Sequence, residues 1–211
     1  MTSGWFITFE GGEGAGKTTQ VRLLAERLMR AGFDVVQTRE PGGSPGAELI
    51  RSLLVTGEAD RWSAMTETLM MYAARRDHIE RLIRPALGRG AIVLCDRFAD
   101  STRAYQGGAG GAPHALVSAL EAFVLEDTHP SRTFILDLPA EVGLSRAEAR
   151  AGDEARFEAK GLAFHERLRQ AFLEIATGEP ERCRVIDASQ NIDAIHEQIW
   201  SSVAADLGLD G

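Results

Sequence analysis

At 211 residues the chain is long for one small domain and short for two, which points to one α/β domain with an excursion. Hydrophobic residues at 44% and charged residues at 26% are ordinary for a soluble globular protein, and no apolar run approaches the roughly 18 residues of a membrane span. A formal net charge of −8 argues against extended nucleic acid as partner and leaves small phosphate-bearing molecules met by local clusters of cations.

Met1 to Gly4 lead straight into an apolar run, so no targeting segment is read and a cytoplasmic location is expected. Trp5 to Phe9 read as a first strand. Gly11 to Thr18 then match G-x-x-x-x-G-K-[ST] without mismatch, and Val21, Leu24, Ala25 and Leu28 mark one face of a following helix. Strand, glycine-rich loop and helix in that order make a phosphate site. Glycines let consecutive N–H groups converge on an anion at the positive end of a helix, Lys17 reaches the outer phosphates, and Thr18 offers a magnesium ligand. Gly32 stops the helix, Asp34 to Thr38 read as a second strand, Arg39 to Gly46 as loop, and Ala47 to Leu54 as a short helix carrying Arg51. After a break at Gly57 and Asp60, one long helix is expected from Ser63 to Leu87, with Leu69, Tyr72, Ala73, Ile79 and Leu82 near helical spacing.

Ala91 to Cys95 form a continuous apolar run before Asp96, the pattern of a strand covered on both faces of a parallel sheet. The segment RFADSTRAYQGGAGG reads as a short helix turning into a glycine-rich loop, and Pro113 starts a helix with Leu116, Leu120, Phe123 and Val124. A strand at Thr133 to Leu138 precedes a helix over Ala140 to Ala151. A charged stretch to Lys160, a helix bearing Leu162 to Ile175, a strand at Arg184 to Asp187 and a closing helix over Ile192 to Leu207 complete the chain. Strands alternating with helices imply a parallel sheet with helices on both faces and ligands at the strands' carboxyl ends. Cys95 and Cys183 lack metal spacing and are expected as buried reduced thiols.

Asp96, ending an apolar strand downstream of the phosphate loop, fits a magnesium carboxylate beside Thr18, and Arg97 places a cation where a second phosphoryl group would lie. Arg146, Arg150 and Arg156 make a lid candidate, although Glu148, Asp153, Glu154 and Glu158 equally suit a solvated, salt-bridged surface. Two function classes follow: a kinase acting on a small anionic acceptor, and a P-loop nucleotide switch or ATPase working through protein partners. A guanine switch usually carries D-x-x-G after the metal strand and N-K-x-D later, and neither occurs here.

FEGGEGAGKTT at Phe9 to Thr19, TREPGG at Thr38 to Gly43, YAAR at Tyr72 to Arg75, DRF at Asp96 to Phe98 and ST-x-AYQGG at Ser101 to Gly108 resemble the thymidylate kinase family, in its order and over about half the chain. The resemblance implies a P-loop nucleoside monophosphate kinase fold in one domain over residues 1–211, with a lid at about 146–160, a homodimer, and phosphorylation of dTMP by ATP and magnesium. It implies that Gly11, Gly12, Glu13, Gly14, Ala15, Gly16, Lys17, Thr18 and Thr19 hold ATP, that Ser189 and Gln190 border adenine, and that Thr18 and Asp96 hold magnesium. Arg97 resembles the arginine on the dTMP phosphate, with Glu13, Arg51, Glu40 and Pro41 around it. Arg75 and Thr102 resemble the groups that read the thymine edge, Tyr105 the ring beneath the sugar, with Ser101 and Gln106 in the same pocket. Lys17, Arg97, Arg150 and Arg156 are the implied catalytic cations. Two departures from the family pattern are Met71, where an aromatic often stacks on the base, and Arg103, which is expected to alter the charge of the base pocket.

Overall fold

The apolar runs at the first, third and fourth strands become the middle of a five-stranded sheet because both faces are covered, so every side chain on them gains from leaving water. The computed structural model describes residues 4–58, 60–149 and 155–209. Its strands are β1 (Trp5–Glu10), β2 (Val35–Arg39), β3 (Ile92–Asp96), β4 (Arg132–Asp137) and β5 (Cys183–Asp187), all parallel in the order β2-β3-β1-β4-β5. Register pairs Phe9 with Asp96 and Arg39 with Asp96, so the carboxyl ends of β1, β2 and β3 finish level. The strand order reverses at β1, where the chain first goes one way to β2 and later the other way to β4. A crevice is expected there.

Helices α1 (Lys17–Arg30) and α10 (Ile192–Leu207) cover one face, with Leu24, Leu28, Ile199 and Val203 against Ile7, Phe9, Leu94 and Phe134. Because successive strand residues point to opposite faces, Phe6 and Val93 meet Tyr72 of α3 (Ala64–His78) and Val117 and Leu125 of α6 (His114–Leu125) on the other. A third cluster gathers Leu168 and Phe172 of α9 (Leu162–Gly178) with Ile135 and Tyr105. Each such fully buried side chain contributes about 1.5–3 kcal/mol. Thr8 and Thr133, paired in register, satisfy each other by a 2.7 Å hydroxyl hydrogen bond inside the core.

Two helical segments depart from the expected form. The long helix is interrupted by a π turn at Ile79–Ile83 before α4 (Arg84–Gly88), where Pro85 sits in the first turn and has no N–H to give to the ladder. After α5 (Ala99–Thr102), residues Arg103–Ala109 form π turns rather than a loop, and Gly108 lets them lie against α9: a Cβ there would stand 2.6 Å from that of Ala171. The apolar face expected of the long helix is borne out only in part: Tyr72 and Ile79 are buried, but Leu69 and Ala73 are exposed. Glu67, Thr68, Arg75 and His78 are buried, while Met65 and Leu69 are exposed. Phe123, expected in the core, is 80% exposed. Helices α2 (Pro45–Val55), α7 (Ala140–Glu148) and the short α8 (Ala155–Glu158) complete the described chain.

Candidate active site

The loop after β1 is shaped by glycines that only close backbone approach explains. Gly14 has φ of 65°, and a Cβ on it would lie 2.1 Å from the carbonyl oxygen of Gly143 in α7. The loop is thereby pressed onto α7, and α1 starts at Lys17, directly after the loop, so the positive end of its dipole lies at the loop. Lys17 Nζ donates to the carbonyls of Gly12 at 2.7 Å and Gly11 at 3.2 Å. Thr18 Oγ1 donates to Asp96 Oδ2 at 2.5 Å, which brings a hydroxyl and a carboxylate from α1 and β3 together at one point.

Arg97 follows β3 in a left-handed backbone conformation, φ 69°, that a side chain with a Cβ rarely adopts. Surrounding bonds hold it there: its N–H donates to the Phe9 carbonyl at 2.9 Å, and the next N–H, of Phe98, donates to the buried Glu10 carboxylate at 2.7 Å. Ser101 Oγ donates to the other Glu10 oxygen at 2.6 Å. Burial, with Asp100 nearby, pushes the Glu10 carboxyl up to about 7, against the opposing bonds from Ser101 and Phe98 and the charge of Arg97. The turn aims the Arg97 guanidinium back across the sheet, where Nη2 bonds both Glu13 oxygens at 3.0 Å and Nη1 bonds the Gly11 carbonyl at 2.9 Å. Tyr105 donates its hydroxyl to Glu13 at 2.5 Å, and its ring lies 4.9 Å from the Arg97 guanidinium carbon. Burial alone would raise the Glu13 carboxyl, but Arg97, Lys17 and the Tyr105 hydroxyl outweigh it and hold it down at about 2.

A second ionic group lies across the opening. Arg75 Nε is 2.7 Å from Glu40 Oε2, and its Nη2 donates to Thr102 Oγ1 and the Phe98 carbonyl, each at 3.0 Å. Burial disfavours its charge, yet Glu40 more than compensates and raises the guanidinium above its ordinary value. Its Nη1 is buried without a hydrogen-bond partner among the described residues, a donor left for a ligand. Glu40 is steadied from behind by His78 Nδ1 at 2.9 Å, and His78 Nε2 by Thr38 Oγ1 at 2.7 Å.

These groups line two adjoining cavities. One, of about 430 Å³, is walled by Glu40, Pro41, Met71, Arg75, Ser101, Thr102, Tyr105 and Gln106, with Phe98, Val55 and Phe157. Its apolar walls with a few charged and hydroxyl groups suit a small organic ligand. The other, an open cleft of about 1640 Å³, is lined by Glu13, Gly14, Gly16, Lys17, Thr18, Thr19, Arg51 and Asp96. Glu13, Glu40 and Arg97 line both, so the two spaces meet at one charged wall. Arg51 Nη1 also donates to the Pro41 carbonyl at 2.7 Å. Gly11 and Gly12 turn their carbonyls onto Lys17, and Ala15 packs into the core. At the end of β5, Ser189 and Gln190 turn onto Asp187 beside the Ala188 carbonyl, which accepts from Arg146 Nη1 at 3.3 Å.

Two expected residues lie away from these cavities. Arg103 pairs with the buried Asp100 at 3.0 Å and with Glu179 at 2.5 Å and is not among the residues lining the smaller cavity. Arg156, expected among the catalytic cations, is buried against Glu67 at 2.6 Å and is absent from the residues lining the phosphate cleft. Arg150 lies outside the described residues. Sequence reasoning missed Glu10, Glu67 and His78, whose partners are all far away in the chain. A buried acid closing an apolar strand was the one available signal, and it marked Glu10 only.

The thymidylate kinase family model matches residues 9–199. Over 209 residues the chain is 69% identical to a thymidylate kinase of Caulobacter vibrioides, covering 99% of this chain and 100% of that protein. A thymidylate kinase of Nitrobacter winogradskyi is 52% identical over 202 residues, 95% of this chain and 88% of the other. The crystal structure of a thymidylate kinase from Ehrlichia chaffeensis superposes with a TM-score of 0.78 at 35% identity, over 95% of this chain and 99% of that one.

Proposed function

The chain belongs to the thymidylate kinase family and phosphorylates dTMP to dTDP using ATP, a transferase step of nucleotide biosynthesis; we propose that it does so by in-line transfer where its two cavities meet. The observation that carries the mechanism is the wall of Glu13, Glu40 and Arg97 common to both spaces. ATP phosphates lie in the cleft of Gly14, Gly16, Lys17, Thr18 and Thr19, with Ser189 and Gln190 bordering adenine. The dTMP base and sugar fill the smaller cavity. Arg75 Nη1 meets a base carbonyl there, Thr102 the neighbouring N–H, Tyr105 the sugar, and Met71, Ser101 and Gln106 the remaining wall.

A phosphate monoester is largely dianionic at neutral pH, its second pKa being about 6, so the acceptor oxygen needs no general base. The protein must instead bring two polyanions together, and like charges about 4 Å apart repel by about 4 kcal/mol at an effective dielectric of about 20. Lys17 and Arg51, which line the larger cleft, and Arg97, which lines both spaces, offset that repulsion. Glu13 keeps the Arg97 guanidinium aimed before substrate arrives. The Thr18 hydroxyl and Asp96 carboxylate are hard oxygen donors at one point, a fit for magnesium, which keeps most of its waters and takes phosphate oxygens. When bound, magnesium would supply positive charge that offsets the negative charge of the phosphates.

The segment at about 146–160 is taken as the lid of one kinase domain over residues 1–211, with Arg150 as its catalytic arginine. A homodimer is supported by exposed apolar side chains on three helices, among them Leu49 of α2, Met65 and Leu69 of α3, and Phe123 of α6. The free, buried thiols of Cys95 and Cys183 support a cytoplasmic setting, and among the described residues no helix is long and apolar enough to cross a membrane. Coupled ADP release with dTMP, dUMP, dCMP, dGMP and AMP tests the substrate. Preference for dTMP is expected; preference for another monophosphate overturns the acceptor, and release independent of any acceptor restores the switch or ATPase reading.

A further inference from the structure

Behind the acceptor cavity stands a buried ionic cluster that phosphoryl transfer does not use. The Glu67 carboxylate of α3 accepts from Gln106 Nε2 at 2.8 Å and is paired with Arg156 Nη1 at 2.6 Å. Arg156 also donates from Nη1 to the Leu54 carbonyl and from Nε to the Glu58 carbonyl, both at 3.0 Å. The Leu54 carbonyl is in the last turn of α2, where the helix dipole favours a cation. Desolvating a carboxylate and a guanidinium is expensive, and such pairs are weak contributors to stability even when well bonded. Position gives this one another use. The residues that follow its anchors, Val55 after Leu54 and Phe157 after Arg156, both line the acceptor cavity, as does Gln106. The Phe157 ring stands edge-on to Tyr105, centroids 5.7 Å apart.

We propose that Arg156 and Glu67 are positioning residues for the acceptor: their buried pair holds Val55, Gln106 and Phe157 as the wall facing the nucleoside and so sets dTMP affinity rather than the rate of phosphoryl transfer. The proposal rests on the assignment of this cavity to dTMP.

Steady-state kinetics on the full chain, with calorimetric binding of dTMP and of thymidine, test it. Arg156→Met and Glu67→Gln are each expected to raise the dTMP KM about tenfold, weaken thymidine binding in parallel, and keep kcat and the ATP KM within about threefold. The double variant should be no worse than the weaker single, because the pair acts as a unit, and Arg156→Lys should recover part of the loss. A fall in kcat at unchanged dTMP KM, additive losses, or untouched thymidine binding overturns the proposal. Should Arg156→Met fail to fold, Phe157→Ala leaves the pair intact and must still weaken both ligands; wild-type affinity in that variant overturns the proposal equally. A wild-type protein without dTMP-dependent ADP release defeats the cavity assignment and this inference with it, whereas an active wild type whose Arg156→Met variant keeps its KM defeats this inference alone.

Discussion

Removing the Arg97 guanidinium has two separable consequences. In the folded chain its Nη2 bonds both oxygens of Glu13 at 3.0 Å, and the carboxyl there sits at about 2 against an ordinary 4.5 although burial pushes it up. That gap corresponds to about 3 kcal/mol in favour of the charged form, with Arg97 the largest contributor, ahead of Lys17. Arg97→Met therefore strands a buried carboxylate and should lower stability at pH 7 by about 3 kcal/mol. On the proposed role of Arg97 at the acceptor phosphate, it would also remove up to two charge-assisted hydrogen bonds, about 1.5–3 kcal/mol each, so kcat/KM for dTMP should fall about 10²- to 10⁴-fold. Adding Glu13→Gln separates the two, since an amide carries no charge to strand. The double variant should regain most of the stability in urea unfolding and almost none of the rate in ADP release, measured on the same preparations. Recovery of kcat/KM to within about tenfold of wild type would show that Arg97 serves only to neutralise Glu13, and the transfer mechanism would fall.

Asp96→Asn should raise the magnesium concentration needed for half-maximal rate by about tenfold or more, because a carboxylate beside the Thr18 hydroxyl is lost; an unchanged magnesium titration removes Asp96 from the metal site. The raised Glu10 carboxyl gives a pH prediction of definite sign. Between 4.5 and about 7 the folded chain keeps a proton that the unfolded chain has released, so this group lowers stability as pH rises through that window, by about 3 kcal/mol in all. Urea unfolding from pH 4.5 to 7.5 should show that slope flattened in Glu10→Gln, and parallel curves for the two proteins would refute the assignment. Glu13 acts oppositely: its contribution is complete above 4.5 and is lost as pH falls toward about 2, which Glu13→Gln should abolish under acid unfolding.

The sheet was legible because its central strands are apolar on both sides, and Trp5 to Phe9 or Ala91 to Cys95 need no knowledge of neighbours to be read as buried. The phosphate loop was legible because its glycines, lysine and threonine are contiguous. Helical faces were less so. Periodicity placed Leu69 and Phe123 among the helical apolar positions, yet both are exposed, while α3 buries Glu67, Thr68, Arg75 and His78 beside Met71 and Tyr72. Hydrogen-bond slips of one residue, as in the π turns at Ile79–Ile83 and Arg103–Ala109, leave no periodic trace over so short a span. Arg156 illustrates the remaining difficulty. It lies in a stretch with Asp153, Glu154, Glu158 and Lys160, which reads as surface or lid, while the carboxylate that pairs with it is on a helix more than eighty residues earlier.

Glu13, Glu40 and Arg97 belong to the linings of both cavities, so on the proposed assignment nucleotide and acceptor would share one charged wall through which each can act on the other. Reciprocity then applies: whatever factor one ligand imposes on the other's affinity is returned unchanged. Anyone recharging that partition to admit a different nucleotide would disturb ATP by the same stroke. Met71, which borders the smaller chamber and not the phosphate cleft, is the place where acceptor choice can be redrawn with the donor side left as it is.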